Sequence, residues 1–374
     1  MASPRFAADN GLMTATPAEG HATLPPGNAG VSPSALLTFL AVVLALPGAV
    51  LTAARIGPWE VGSPWVQLLS GYPLTLASTF AAVLAAVLAA VLIGGRRRVR
   101  LVVSAGVVLL LAAQLSMLAP RLLPDGWNPL AANRAGPLSQ GPAGEEQGRP
   151  LTVMALNVGG AQLDAAAVLG AVGAHGVEIL ALPELSPVTL QRLEDAGIAR
   201  LLPHRALDID GANTGSGIFS VFPLSPQKRV PGSESFQSRA VADVPGIRQG
   251  IRLTAVHVES PRPGQVSGWR KDPKELARLQ RAAPDGTPAV LLGDFNASLD
   301  HRGLRSLLSA GLSDAAAATG RGLWPTWPAN SSAPPFVQID HVLVSRELAV
   351  ESFTTVAIPG PDHLALVSRL VYRG

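Results

Sequence analysis

The segment Ala289-Val-Leu-Leu-Gly-Asp-Phe-Asn296 decides how the rest of the chain is read. Residues 289–292 form an apolar run of strand length with no polar face, the pattern of a strand buried on both sides. Gly293 ends the run, and an acid and an amide follow at Asp294 and Asn296. A carboxylate at that position can simply bond the backbone of its own turn. It can equally lie outside the carboxyl end of a strand, where open α/β sheets hold their ligands.

The same arrangement recurs on either side. Further strands are predicted at 151–158, 177–182, 217–222, 239–244, 251–258, 339–344 and 364–372, and helices at 164–174, 187–196, 273–281 and 302–309. Asn157 ends the first of these strands, Glu184 follows the second, and His257 ends the strand at 251–258. Asp340 and His341 open one late strand, and Asp362 and His363 open the last. Singly, these residues read as turn formers, a helix cap, a strand histidine and solvated acids. Their order and joint spacing are what those readings leave unexplained. Short strands alternating with helices predict a layered α/β domain over 151–374, without separating a parallel from a mixed sheet.

The first third is different. The chain is 48% hydrophobic and 15% charged, and three uncharged runs hold much of that apolar excess. Residues 35–54, 74–95 and 101–120 are each long enough for a helix to cross a hydrocarbon core of roughly 30 Å. A cleaved signal peptide is a poor match, because Arg5 is the only basic residue before the first run. Arg96, Arg97, Arg98 and Arg100 occupy the second loop, whereas the first offers only Arg55 against Glu60. An Arg-rich loop is expected on the cytoplasmic side, which puts everything after the third span outside, at a cell membrane. Residues 1–33 read as a disordered tail, and the Pro/Gly-rich stretch 121–150 as a tether. Of 29 Lys/Arg and 26 Asp/Glu, 9 and 6 precede residue 151, leaving 20 of each for the second part. That balance argues against a general polyanion binder, and the absence of cysteine excludes disulfides and thiolate chemistry.

Taken together, Leu156-Asn157, Leu182-Pro-Glu184, Ala255-Val-His257, Gly293-Asp-Phe-Asn296, Ile339-Asp-His341 and Pro361-Asp-His363 resemble the endonuclease/exonuclease/phosphatase superfamily. The resemblance implies an α/β four-layer sandwich, deoxyribonuclease I-like, here preceded by three transmembrane helices. It implies Glu184 as ligand of a divalent metal, Mg²⁺ or Mn²⁺, with Asn157 and Asp362 near it; oxygen donors without thiolates suit a hard cation. It implies Asp294 as base for the attacking water, Asn296 as its positioner, His363 on the phosphate with its tautomer set by Asp340, and His257 as acid or second phosphate donor. Pro183 and Pro361 depart from the family's usual Gln and Ser, and remove no catalytic side chain. Tyrosine stands at the position of His257 in apurinic endonucleases, so the histidine is closer to the deoxyribonuclease- and sphingomyelinase-like branch.

The layout of spans, tether and domain is similar to actinobacterial membrane-anchored members linked to teicoplanin resistance. The expected activity is a membrane-anchored phosphoesterase acting on a phosphate-containing, lipid-linked substrate, with no protein partner indicated. A membrane-bound nuclease and a catalytically silent scaffold are the alternatives. Three further residues are expected near substrate: Arg270 on a basic helix, and Trp324 and Trp327 flanking Pro325.

Overall fold

A computed structural model describes residues 31–57, 60, 62–92, 97–127, 150–159, 163–209, 215–233 and 235–373. Most of the expected tail and tether lies outside the described residues. Helices α1 (Pro33–Ile56), α3 (Thr75–Val91, continued from a 3₁₀ turn at Tyr72–Leu74) and α4 (Arg97–Leu122) supply three segments long and apolar enough to cross a membrane. A short α2 (Trp65–Ser70), not anticipated from the sequence, lies between the first two. The bundle packs on small residues: Ala41, Ala45, Ala82 and Ala86 are buried, and a Cβ on Gly48 would lie 2.4 Å from Thr79 Oγ1. Arg100 is turned back onto the carbonyl of Ala89, at the carboxyl end of α3 (3.0 Å).

The remaining chain folds into two six-stranded mixed sheets. The first has the order β11-β12-β1-β2-β4-β3, from β1 (Pro150–Ala155), β2 (Ile179–Pro183), β3 (His204–Asp208), β4 (Ser216–Ser220), β11 (Leu348–Val356) and β12 (Ala365–Tyr372). The second has the order β5-β6-β7-β8-β10-β9, from β5 (Leu224–Pro226), β6 (Arg239–Ala242), β7 (Ile251–His257), β8 (Ala289–Asp294), β9 (Leu312–Asp314) and β10 (Asp340–Ser345). Among the described residues, β1/β2 and β7/β8 are the pairs that run in parallel.

Alternate side chains explain the uniformly apolar strands. Val153, Ala155, Ile179 and Ala181 face Leu253, Ala255, Val290 and Leu292 in a core between the sheets. Met154, Leu156, Leu180 and Leu182 point the other way, onto α5 (Ala165–His175) and α6 (Pro187–Ala196), beyond which comes the one-turn α7 (Ile198–Leu201). Val256, Leu291 and Leu343 pack on α8 (Ser267–Arg281) and α9 (Arg302–Leu308), and a single turn, α10 (Ala315–Ala318), follows β9. Helix, sheet, sheet and helix make the four-layer α/β sandwich expected from the sequence.

The catalytic-type domain does not hang clear of the helices. Asp300 accepts hydrogen bonds from Arg55 Nε (2.7 Å) at the end of α1 and from both terminal nitrogens of Arg121 (2.8 and 2.6 Å) at the end of α4. Arg302 donates its amide to Glu60 (2.6 Å), and the Arg121 carbonyl accepts from the Gly322 amide (3.0 Å). Val66 belongs to the same apolar cluster as Trp269 and Leu304. Residues 121–127, placed at the head of the tether by their composition, are helix end and docked segment: Pro124 bridges Thr319.

Candidate active site

Three neighbouring strands of the second sheet align one polar group each. His257 is in register with Asp294 across β7/β8, and Asp294 with Asp340 across β8/β10. Gly293 makes that alignment feasible. Its φ is 138°, and a Cβ there would lie 2.2 Å from the Val256 carbonyl, so only glycine lets β8 run this close to β7. The first sheet contributes Asn157 and Glu184, one from the carboxyl end of each strand of its parallel pair; the Val158 amide still bonds the Pro183 carbonyl (3.0 Å). A Cβ on Gly159 would fall 1.8 Å from Glu184 Oε2, so glycine there makes room for the carboxylate. Among the described residues, the two non-glycine positions with positive φ, Glu184 (58°) and Asn296 (47°), both belong to this site. Such strain costs about 1–3 kcal/mol per residue and collects where function requires it.

Hydrogen bonds tie the groups together. Asn157 Nδ2 donates to Glu184 Oε1 (2.9 Å) and Asp294 Oδ2 (3.0 Å), while its oxygen accepts from the Gly159 amide. Asn296 holds both oxygens of Asp294, by its amide (2.7 Å) and by Nδ2 (3.1 Å). Asp340 receives His363 Nδ1 on both oxygens (3.0 and 2.9 Å), leaving Nε2 to face Asp294 Oδ2 and Asp362 Oδ1, each at 3.9 Å. His257 Nε2 lies 3.2 Å from Glu184 Oε1.

The electrostatics separate the roles. Burial pushes Asp294 up to about 6, reinforced by the charge of Asp340 and opposed by His363. Burial works against the charged form of His363, yet Asp340 and Asp294 outweigh it and hold the imidazolium up to about 10. Burial would raise Glu184, but the hydrogen bond and charge of His257 keep its carboxyl below the usual range. His257 is raised in turn: Glu184 and Asp294 overcome its burial.

Two sets of side chains bring their ligand atoms within 4.8 Å of one another: Glu184, His257 and Asp294, and Asp294, Asp340 and His363. Three carboxylates in so buried a space, with no thiol present, suit a hard divalent cation. His257 Nδ1 is buried with no hydrogen-bond partner. Of the residues expected around the metal, Glu184 belongs to the first set. Asn157 touches its carboxylate but turns its oxygen to Gly159. Asp362 falls in neither set; its Oδ2 accepts from Trp327 Nε1 (3.1 Å), which brings Trp327 to the rim of the site. Trp324 instead stacks under Arg321, 4.8 Å from the ring centre. Arg270 bonds the carbonyl of Glu60, in the loop after α1 (2.6 Å). His341 is structural, held between Asp314 (2.8 Å) and the Ala297 carbonyl (2.9 Å).

Trp269 escaped the sequence reading. Its Nε1 donates to the Asn296 carbonyl (2.8 Å), fixing the strained residue that grips Asp294. Pro273 had suggested a helix start, since proline favours the first turn. The helix begins at Ser267 and holds Pro273 within it, which puts Trp269 on the buried face beside Leu276 and Ala277.

Residues 154–369, more than half of the chain, match the Endonuclease/Exonuclease/phosphatase family, and the chain belongs to that family of hydrolases, whose members are divalent-metal-dependent phosphoesterases. Among solved structures it is similar to an endonuclease/exonuclease/phosphatase from Beutenbergia cavernae (21% identity, TM-score 0.45, covering 60% of this chain and 72% of that one). It is also similar to D. rerio TDP2 complexed with a single strand DNA product (15%, 0.47, 59% and 98%) and to a family protein from Bacteroides thetaiotaomicron (18%, 0.42, 60% and 99%). A comparison with curated proteins finds no match.

Proposed function

We propose that the protein hydrolyses phosphate ester or pyrophosphate bonds of lipid-linked substrates, from the outer side of the cytoplasmic membrane. The observation that carries this reading is the attachment of the Asp294 loop, through Asp300, to the ends of two membrane-type helices. A site fixed at the bilayer meets membrane-borne substrates at high effective concentration, and dissolved polymers gain nothing from it. The equal numbers of acidic and basic residues after position 150 support the same choice.

Glu184 and Asp294, with His257 beside them, would hold a Mg²⁺ or Mn²⁺ ion, which supplies charge neutralisation at the phosphoryl oxygens. Asp294, near 6, takes the proton of the attacking water while remaining ionised at neutral pH. Asn157 and Asn296 keep its carboxylate from rotating. His363, charged and oriented by Asp340, donates Nε2–H to a phosphoryl oxygen. His257 protonates the leaving oxygen, its pKa raised toward that task.

The test compares initial rates of the full chain on polyprenyl pyrophosphate in detergent and on supercoiled plasmid, with Asp294→Asn as blank. Lipid turnover abolished by EDTA and restored by Mg²⁺ or Mn²⁺ is expected. Plasmid nicking without lipid turnover would replace this reading with a nuclease, and indifference to chelation would remove the metal. Sidedness follows the arginine asymmetry: a reporter active only outside the cytoplasm should work after Gly374 and stay silent after Arg98. The reverse pattern places the site in the cytoplasm.

A further inference from the structure

A cavity of about 480 Å³ lies where the ends of α1 and α4 meet the catalytic domain, and none of the strand-end site residues lines it. Its walls bear four arginines, Arg55, Arg121, Arg305 and Arg346, against two acids, Asp125 and Asp314. Asp314 is already engaged: one oxygen faces His341 Nδ1 (2.8 Å) and the other caps the Ala317 amide (2.7 Å). Asp300, behind the wall, is taken up by Arg55 and Arg121. Arg305 has no such partner. Its guanidinium donates to the carbonyls of Asp300 and Arg55, and among the described residues it meets no carboxylate at ion-pair distance. Burial, reinforced by the charge of Arg55, depresses its pKa against the longer-range pull of Glu60 and Asp300. A half-buried cation facing a cavity, with no carboxylate at ion-pair distance among the described residues, is a costly arrangement that a bound anion would relieve.

The position selects the anion. Arg55 and Arg121 sit in the last turns of two membrane-length helices, the level at which lipid headgroups lie. The remaining wall is partly apolar, with Met117 and Pro120 from α4 facing Leu308 and Leu312. Along α4, Val102 and Leu109 are exposed by 72% and 69% and lie on the same helix face as Pro120, an uncovered apolar track leading to the cavity. A small inorganic anion would use the arginines and leave the apolar surface unmatched.

We propose that this cavity binds the phosphate headgroup of an anionic membrane phospholipid, whose acyl chains run along the exposed face of α4. The bound lipid is a ligand and not the substrate: it fills the junction, completes the charge of Arg305, and fastens the docked domain to the bilayer surface. The inference rests on the membrane reading of the helices and is independent of what the active site cleaves.

The full chain carrying Asp294→Asn, so that no lipid is turned over, is titrated in neutral detergent with short-chain phosphatidylglycerol, short-chain phosphatidylcholine and inorganic phosphate. Binding is read by calorimetry. Phosphatidylglycerol should bind more tightly than either of the others. Arg305→Gln should weaken it about tenfold or more, the value of a charged hydrogen bond converted to affinity. Because Arg305 also bonds two carbonyls of the docking contact, Ser309→Glu is the second variant. Ser309 is exposed on the cavity lining, its hydroxyl bonds the Arg305 carbonyl one turn back in its own helix (3.0 Å), and a carboxylate there repels the headgroup while leaving the docking contacts in place. Equal binding of inorganic phosphate or of phosphatidylcholine overturns the proposal. So does unchanged phosphatidylglycerol affinity in Ser309→Glu, whatever happens to Arg305→Gln.

Discussion

Each sheet carries one parallel pair, β1/β2 in the first and β7/β8 in the second, and each pair delivers polar groups from its carboxyl ends to the same site. The surroundings of the two pairs differ. The first sheet is covered by the apolar α5 and the amphipathic α6, each with its own cap: Asp164 accepts from the Ala167 amide and Ser186 from the Thr189 amide. The second is covered by α8 and α9 and by the loop after β8, and these parts meet the ends of the membrane-length helices α1 and α4 and the loop after α1. Seven residues, 294–300, run from Asp294 to the ion pair of Asp300 with Arg55 and Arg121. Chemistry and anchoring therefore share the second sheet, while the first supplies Asn157 and Glu184 from a self-contained layer.

The largest expected effect separates the site from both scaffolds. Asp294→Asn or His363→Ala should lower turnover about 10²–10⁴-fold with the fold retained, since each removes a group acting on the reacting phosphate. A folded variant with near-normal initial rates would show that the convergence of the two sheets is not the active centre.

Next in size is the docking contact. Asp300→Ala should destabilise the full chain by about 3 kcal/mol, the low end for removing one partner of a buried pair, because Arg55 keeps 13% exposure. Thermal unfolding in detergent checks it; a loss no larger than that of a surface pair would mean that the two regions are joined by packing alone.

The same contact should sense pH. His301 Nδ1 accepts from the Ser298 amide (2.9 Å), so Nε2 carries the proton and donates to the Val66 carbonyl (2.9 Å). Burial depresses its pKa against the opposing pull of Glu60 and Asp300. A histidine neutral in the folded state contributes stability that is complete above its unfolded value of about 6.5 and drains as pH falls below it. Burial would raise Asp300, but Arg121 and Arg55 hold it below the usual carboxylate range, so its share persists until pH falls under about 3.8. The raised pKa values of His363, His257 and Asp294 act in the opposite sense, so the difference is what is read: between pH 7 and pH 5 the melting temperature of His301→Gln should move upward relative to that of the unaltered chain. An equal slope in the variant would remove His301 from the account.

The smallest effect belongs to the first sheet. Asp164→Ala removes the cap of α5 and should cost about 1 kcal/mol, with rates and docking unchanged. An accompanying loss of activity would break the distinction between a self-contained layer and an anchored one.

The strands with a two-sided apolar pattern were readable because burial on both faces leaves no other composition. The strands β3, β5, β9 and β11 were not: β3 reads His-Arg-Ala-Leu-Asp, and β11 carries exposed Glu351 and Ser352 on an outer position of its sheet. Edge strands make half their ladder bonds and need no apolar signature. Trp269 was hidden by a helix start misplaced at Pro273.

By itself, the sequence determined the three apolar spans, the layered domain and the ordered polar series from Asn157 to His363, because hydrophobic length, strand periodicity and motif spacing are local properties. Only the tertiary structure decided which groups meet. Asp294 touches Asn157 across 137 positions, and Asp300 reaches Arg121 across 179 and Arg55 across 245. No local preference encodes such pairs. They follow from how the sheets stack and how the domain seats on the helix ends, and that seating makes residues 121–127, at the head of the expected tether, part of a docked junction with a cavity of its own.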